Sequence, residues 1–245
     1  MIGRFIRSAG IVIMCFISAF LVLLFSWMPK GGVYPWVAHK FWGPGMLWLA
    51  GAKLHVRGAE NLDQSADAVF ISNHQSHFDI PSITSAVPIP LYFIAKKELQ
   101  HIPIFGWGMW AIGMVFVDRN NREKALASMQ KAIRAIKKGK SILSFPEGTR
   151  SKDGEVKAFK KGSFHLAKSG LLEMVPIAVS GTRDVLAPGG KLNRGVVVVQ
   201  VGRRITRAEV ESRSIAELAT YANARIGELK FMADAELLRI KKETK

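Results

Sequence analysis

Between Ala9 and Met28 the chain carries no charged residue. A run of about 20 apolar residues matches a bilayer span in helical form. Arg4 and Arg7 precede it. A cleaved signal peptide is the competing reading. The run exceeds the usual ~7–15 residues of such peptides, and no small-x-small cleavage site follows Ser26-Trp27-Met28. A second stretch, Val33 to Leu54, is less apolar and carries Trp36, Trp42 and Trp48 with Pro35, Pro44, His39 and Lys40. Tryptophan favours the headgroup boundary, so this stretch reads as interfacial or re-entrant. The alternative is that its aromatics simply pack on the remaining protein. Residues 1–55 are expected to form a membrane-attachment segment, and residues 56–245 one domain. About 190 residues are enough for a single well-buried core.

Within that domain, short β-branched runs alternate with helical stretches. Strands are expected at Ala68–Ser72, Leu91–Ala95, Met114–Asp118, Ser141–Phe145, Val175–Val179 and Val196–Val201. Arg122–Lys138 reads as an amphipathic helix with Ala125, Met129, Ala132, Ile133 and Ile136 on one face. Further helices are expected at Ser163–Lys168 and Ile215–Lys242. This alternation indicates an α/β fold, a central sheet flanked by helices. Function in such folds tends to sit in loops at strand ends.

The formal charge is +16, from 35 Lys and Arg against 19 Asp and Glu. Such an excess asks for an anionic environment, either nucleic acid or anionic lipid. The apolar N-terminus favours a lipid surface, and no nucleic-acid-binding motif is present. A basic but otherwise ordinary soluble domain is the plainer alternative. The single cysteine, Cys15, excludes a disulfide framework or a Cys-based zinc site within one chain.

The strand Ala68–Ser72 runs into Asn73-His74-Gln75-Ser76-His77-Phe78-Asp79. On a regular helix, residues five apart face different ways. In a strand-to-helix turn, Asp79 can fold back onto the His74 ring. A carboxylate on one ring nitrogen fixes the tautomer and raises the basicity of the other, which suits a general base. Asp79 could instead cap a helix starting at Ile80. His74 and His77 could also be a metal pair, but no third ligand stands at a telling spacing, so no metal is expected.

Three further blocks follow in order: Gly113-Met114-Val115-Phe116-Val117-Asp118-Arg119, then Phe145-Pro146-Glu147-Gly148-Thr149-Arg150-Ser151, then Val175-Pro176-Ile177-Ala178. With the His-x4-Asp block, they resemble the ordered motifs of the glycerolipid acyltransferases, in particular the bacterial 1-acyl-glycerol-3-phosphate acyltransferases. The resemblance covers about residues 68–185 plus the apolar N-terminus. It implies a glycerolipid acyltransferase fold and transfer of a fatty acyl group from acyl-CoA or acyl-carrier protein to the 2-hydroxyl of lysophosphatidate, giving phosphatidate. His74 would be the base and Asp79 its partner. Arg119, Glu147, Gly148, Thr149 and Arg150 would form the acceptor site, with Arg150 on the phosphate. Lys96 and Lys97 stand where the family has a phosphate-contacting lysine. The Val-Pro-Ile block would line the site. No cofactor is implied. Another acceptor, such as glycerol 3-phosphate, or a non-catalytic basic membrane-binding protein are the rival readings.

The residues support that implication independently. A guanidinium holds phosphate through two parallel hydrogen bonds, and glycine lets a backbone approach a ligand. Lys152, Lys157, Lys160 and Lys161 could hold anionic headgroups or the donor's phosphates, or be a solvated loop. Gly-x-Ser-x-Gly is missing, so no serine acyl-enzyme is expected. Arg4 and Arg7 would keep the N-terminus inside. A single crossing would then carry the domain away from the cytoplasmic thioesters it needs. A helical hairpin at the cytoplasmic face of the bacterial inner membrane is therefore expected.

Overall fold

A computed structural model describes residues 2–28, 33–62, 68–118, 122–136 and 139–244. Arg119 lies outside the described residues, as do the last two positions of the expected 122–138 helix.

Seven strands form one sheet in the order β1-β7-β6-β2-β5-β3-β4. They are β1 (Ala52–Arg57), β2 (Ala68–Ser72), β3 (Leu91–Lys96), β4 (Val115–Val117), β5 (Ser141–Ser144), β6 (Glu173–Ser180) and β7 (Gly195–Val201). Every pairing is parallel except β6 with β7, so the sheet is mixed. The six expected strands are all present, with ends shifted by a few residues.

The added strand, β1, sits at the sheet edge beside β7 and takes up the last residues of the stretch read as interfacial. Its sequence Ala-Lys-Leu-His-Val-Arg alternates apolar and polar residues, as a half-exposed edge strand does.

Parallel strands covered on both faces are apolar throughout. All five residues of β2 are buried. Val69 and Ile71 point into one core layer, with Ile142, Ala132, Ile133, Ile136, Phe164 and the start of the C-terminal helix. Phe70 points into the other, with Leu143, Val175, Ile177, Ile83 and Leu47. The amphipathic helix Arg122–Ile136, the helix Gly162–Gly170 and the 29-residue helix Ile215–Glu243 cover the first layer. Capping boxes at Thr206 and Ser214 start the last two helices of the chain.

The N-terminal helix Ile2–Leu24 contains the one described segment, Gly3–Leu24, that is long and apolar enough to cross a membrane. The chain then returns through a helical stretch, Tyr34–Ala50, that includes a π-helical section at Val37–Trp42. Gly10 meets Leu49 and Gly45 meets Met14. Arg7 Nη1 donates to Ala50 O at 2.8 Å. Those pairings run in opposite directions along the chain, so the two segments form an antiparallel hairpin. Gly108 of a further helix, Phe105–Ala111, packs on Ala19.

The outer faces of these three elements expose Phe5, Ile6, Val12, Ile13, Phe20 and Leu24, together with Trp27, Trp36, Trp48, Trp107 and Trp110. Five of the six tryptophans of the chain are exposed. The contribution of Trp107 and Trp110 has no counterpart in the sequence reading.

Candidate active site

The C-terminal ends of β2, β5 and β6 lie side by side, and each feeds the site. From β2 comes Asn73, whose buried side-chain amide donates to Val179 O (3.0 Å) and accepts from Val179 N–H (2.8 Å). This pair extends the β2–β6 ladder by one side chain and fixes where the strand stops. His74 follows immediately.

His74 Nδ1 lies 2.7 Å from Asp79 Oδ2. The same oxygen accepts the Gln75 N–H (2.7 Å) and the Ser76 N–H (2.9 Å). Thr182 Oγ1 donates to the other oxygen, Oδ1. Asp79 opens the helix Asp79–Ala86, but its carboxylate folds backward over the 74–78 turn. The capping alternative is thereby decided: the N-cap position is Phe78, which makes no side-chain cap.

A carboxylate oxygen facing Nδ1 accepts its N–H and so selects the Nδ1–H tautomer of the imidazole. Nε2 is then the nitrogen left to accept a proton. The Phe145 ring stacks on the His74 ring, with centroids 4.1 Å apart and planes 20° from parallel.

From β5 comes the loop 145–151. Glu147 is 4% exposed. Its Oε1 accepts the His74 N–H at 2.8 Å, and the Ser151 N–H donates to His74 O at 2.7 Å. The loop thus holds both sides of the His74 main chain. Burial raises the Glu147 pKa above the ordinary carboxylate value, partly offset by the His74 and Lys157 main-chain N–H groups. Glu147 was expected to shape the acceptor site, but it is turned inward and engages the His74 backbone.

Gly148 has φ 73°, a left-handed conformation that glycine adopts without strain. The space above it is filled by the Lys160 side chain, which a Cβ at Gly148 would meet at 2.9 Å. The approach expected there was that of a ligand; among the described residues the Lys160 side chain occupies that space. Thr149 and Arg150 are exposed at the rim. Arg150 makes no hydrogen bond or ion pair among the described residues. Its charge reaches His77, whose pKa is lowered first by partial burial and then by Arg150 and His74.

Lys96 ends β3 and Lys97 follows it, two strands along the same sheet edge from β2. Neighbouring strands are about 4.8 Å apart, which places them roughly 10 Å from the His74 strand. Lys97 Nζ pairs with Asp118 Oδ2 at 2.7 Å, and this partner raises its pKa. Lys96 lies 3.6 Å from Glu98. The Val175-Pro176-Ile177-Ala178 block does not line a cleft. It is fully buried in β6, where it pairs with β2 and fills the core. Pro176 fits there because β7 pairing begins only at Ile177.

Fold and site together define a class: an α/β enzyme with a carboxylate-held imidazole at its strand ends and an apolar helical hairpin alongside. The family model described as Acyltransferase matches residues 53–180. The 1-acyl-sn-glycerol-3-phosphate acyltransferase of Saccharomyces cerevisiae is 34% identical over 229 residues, covering 89% of this chain and 75% of its own. The protein of that name from Escherichia coli is 32% identical, covering 72% of each chain. The crystal structure of the 1-acyl-sn-glycerophosphate acyltransferase PlsC from Thermotoga maritima superposes with a TM-score of 0.79 at 26% identity, over 94% of this chain and 96% of its own. This chain belongs to the acyltransferase family.

Thr182, Asn73 and Phe145 are the site residues that sequence reasoning missed. Thr182 carries one usable signal: a hydroxyl directly after Ser180-Gly181, at the end of a strongly apolar strand.

Proposed function

We propose that this acyltransferase moves a fatty acyl group from a thioester, acyl-CoA or acyl-carrier protein, to the 2-hydroxyl of a 1-acyl-glycerol 3-phosphate. The observation that carries the reading is the His74–Asp79 contact at the open end of β2. The names of the relatives supply the acceptor class.

His74 Nε2 takes the hydroxyl proton as the alcohol oxygen attacks the thioester carbonyl. A tetrahedral oxyanion forms and collapses, the C–S bond breaks, and the imidazolium returns the proton to the departing thiolate. The products are a phosphatidate and a free thiol. No acyl-enzyme intervenes. The N–H groups of His74, Gln75 and Ser76 are already spent on Glu147 and Asp79, so oxyanion donors come from elsewhere.

Arg150, whose guanidinium has no hydrogen-bond partner among the described residues, binds the acceptor phosphate through a bidentate contact. Arg119, Lys96 and Lys97 add positive potential along the same edge, and Thr149 completes the rim. Lys152, Lys160 and Lys161, all exposed, extend that potential toward the donor's phosphates or anionic headgroups. The apolar surface with its five exposed tryptophans attaches the enzyme to a membrane, at the cytoplasmic face where thioesters are made.

The test is thioester-dependent conversion of lysophosphatidate to phosphatidate by purified full-length protein in mixed micelles. Robust turnover of glycerol 3-phosphate instead would change the acceptor. Lipid binding without thioester consumption would remove the enzymatic reading.

A further inference from the structure

We propose that Thr182 is a positioning residue for the reaction, acting through Asp79, and that the C-terminal helix holds Thr182 in place. The proposal rests on the reading of His74 as the base.

Three of the four donors to the Asp79 carboxylate come from its own turn: His74, Gln75 and Ser76, all on Oδ2. The hydrogen bond to Oδ1 comes from Thr182, 103 residues away in sequence. It is the one hydrogen bond to this carboxylate from outside the 74–79 turn among the described residues. A carboxylate held at one oxygen can still swivel about its Cβ–Cγ bond. The second hold fixes its plane, and with it the direction in which Oδ2 meets the imidazole. Asp79 and Thr182 are both 0% exposed, so water does not stand in for the hydroxyl.

The chain is built to deliver that hydroxyl. At the end of β6, Gly181 turns with φ 85°, and a Cβ there would fall 2.2 Å from Val196 O. Thr182 follows as the first residue of the short helix Thr182–Val185. Straps to the C-terminal helix hold the segment on both sides of Thr182. Ser180 Oγ donates to Asp234 Oδ1, and Lys230 pairs with the same carboxylate. Farther along, Lys241 Nζ pairs with Asp184 Oδ2 at 2.7 Å. Leu237 packs at Gly181. Residue 182 and the whole C-terminal helix lie beyond the 53–180 stretch matched by the family model.

Two variants of the full-length protein test the proposal. Thr182→Val keeps the shape and deletes the donor; Thr182→Ser keeps the donor. Steady-state kinetics with acyl-CoA and lysophosphatidate are measured beside the low-field NMR signal of the His74 Nδ1 proton in micelles. Thr182→Val is expected to lower kcat about 10- to 100-fold, part of the roughly 10²–10⁴ that general-base help supplies. Both KM values should stay within about threefold, and the low-field proton should shift or broaden. Thr182→Ser should restore kcat to within about threefold and return the proton signal.

Wild-type kcat with an unmoved proton in Thr182→Val would overturn the proposal. So would equal damage from Val and Ser, or a loss confined to KM. If Thr182→Val does not fold, Asp234→Ala loosens the strap from outside the site. That variant should lower kcat with KM unchanged, and an unchanged kcat there overturns the proposal. A wild-type chain that consumes no thioester removes the function read above, while the proton signal still decides whether Thr182 sets the geometry of the pair.

Discussion

The two halves of the site are built on different physics. On one side, His74, Asp79, Thr182 and Glu147 interlock through buried and part-buried hydrogen bonds. On the other, Thr149, Arg150, Lys160 and Lys161 stand exposed, and Arg150 has no hydrogen-bond partner among the described residues. A proton acceptor must be aimed before substrate arrives, because misalignment raises the barrier directly. A phosphate needs only matching charge and a donor fork, and the ligand itself orders long side chains. On the function proposed above, the chemical half would be organised by folding and the recognition half by binding.

If that division is right, substitutions in the two halves should separate into kcat and KM effects. The largest effect belongs to His74→Ala, expected to lower kcat by roughly 10²–10⁴ with folding and membrane attachment intact. Full activity with labelled thioester would break the comparison at its first term. Asp79→Asn keeps the size of the side chain but can present an N–H to the ring, inviting the wrong tautomer. A kcat loss of about 10²–10³ with unchanged KM is expected.

Arg150→Ala should instead raise KM for the phosphorylated acceptor by roughly 10- to 100-fold, since hydrogen bonds to charged groups carry that much. KM for the thioester should change little. Equal loss for both substrates would move Arg150 out of phosphate recognition. Lys97→Ala should raise the acceptor KM less than Arg150→Ala does, because Lys97 already shares Asp118. An effect as large as that of Arg150 would place the phosphate nearer β3.

The smallest effect concerns stability. Burial holds the Glu147 pKa above its unfolded value, so the folded state favours the protonated acid. Below the unfolded pKa both states are protonated, and Glu147 contributes nothing to pH dependence. As pH rises from the unfolded pKa to the folded one, that preference turns into a loss of stability, complete once both states are ionised. The difference in Tm between Glu147→Gln and the wild type should therefore move in favour of Gln between pH 4 and pH 7. A difference that does not change with pH would mean that Glu147 is not strained by burial. Because a Gln carbonyl can still accept the His74 N–H, this variant should also keep most of its kcat, as a residue that holds the main chain predicts.

Much of the architecture was legible along the chain. β-Branched runs announced six of the seven strands, because strands buried on both faces read as continuous apolar stretches. β1 escaped because it follows a Trp-rich stretch that reads as interfacial, although Leu54 and Val56 alternate with Lys53, His55 and Arg57 as an edge strand does. The spacing of His74 and Asp79 left two outcomes open, a pair or a cap, since both are local solutions for the same six residues. The Val-Pro-Ile block was read as site lining because of its place among the motifs. Its neighbours in the sheet make it core.

Local features were thus narrowed by the sequence itself: which segment is apolar enough for lipid, which runs form six of the seven strands, which imidazole has a carboxylate near it in the chain. What only the tertiary structure decided is how distant segments meet. The order β6-β2-β5 sets Thr182 and Glu147 against the His74 turn, from 103 and 73 residues away. Periodicity and turn propensity act over a few residues. Strand order is selected by the burial of both sheet faces at once, and that global condition is written in no single stretch of the chain.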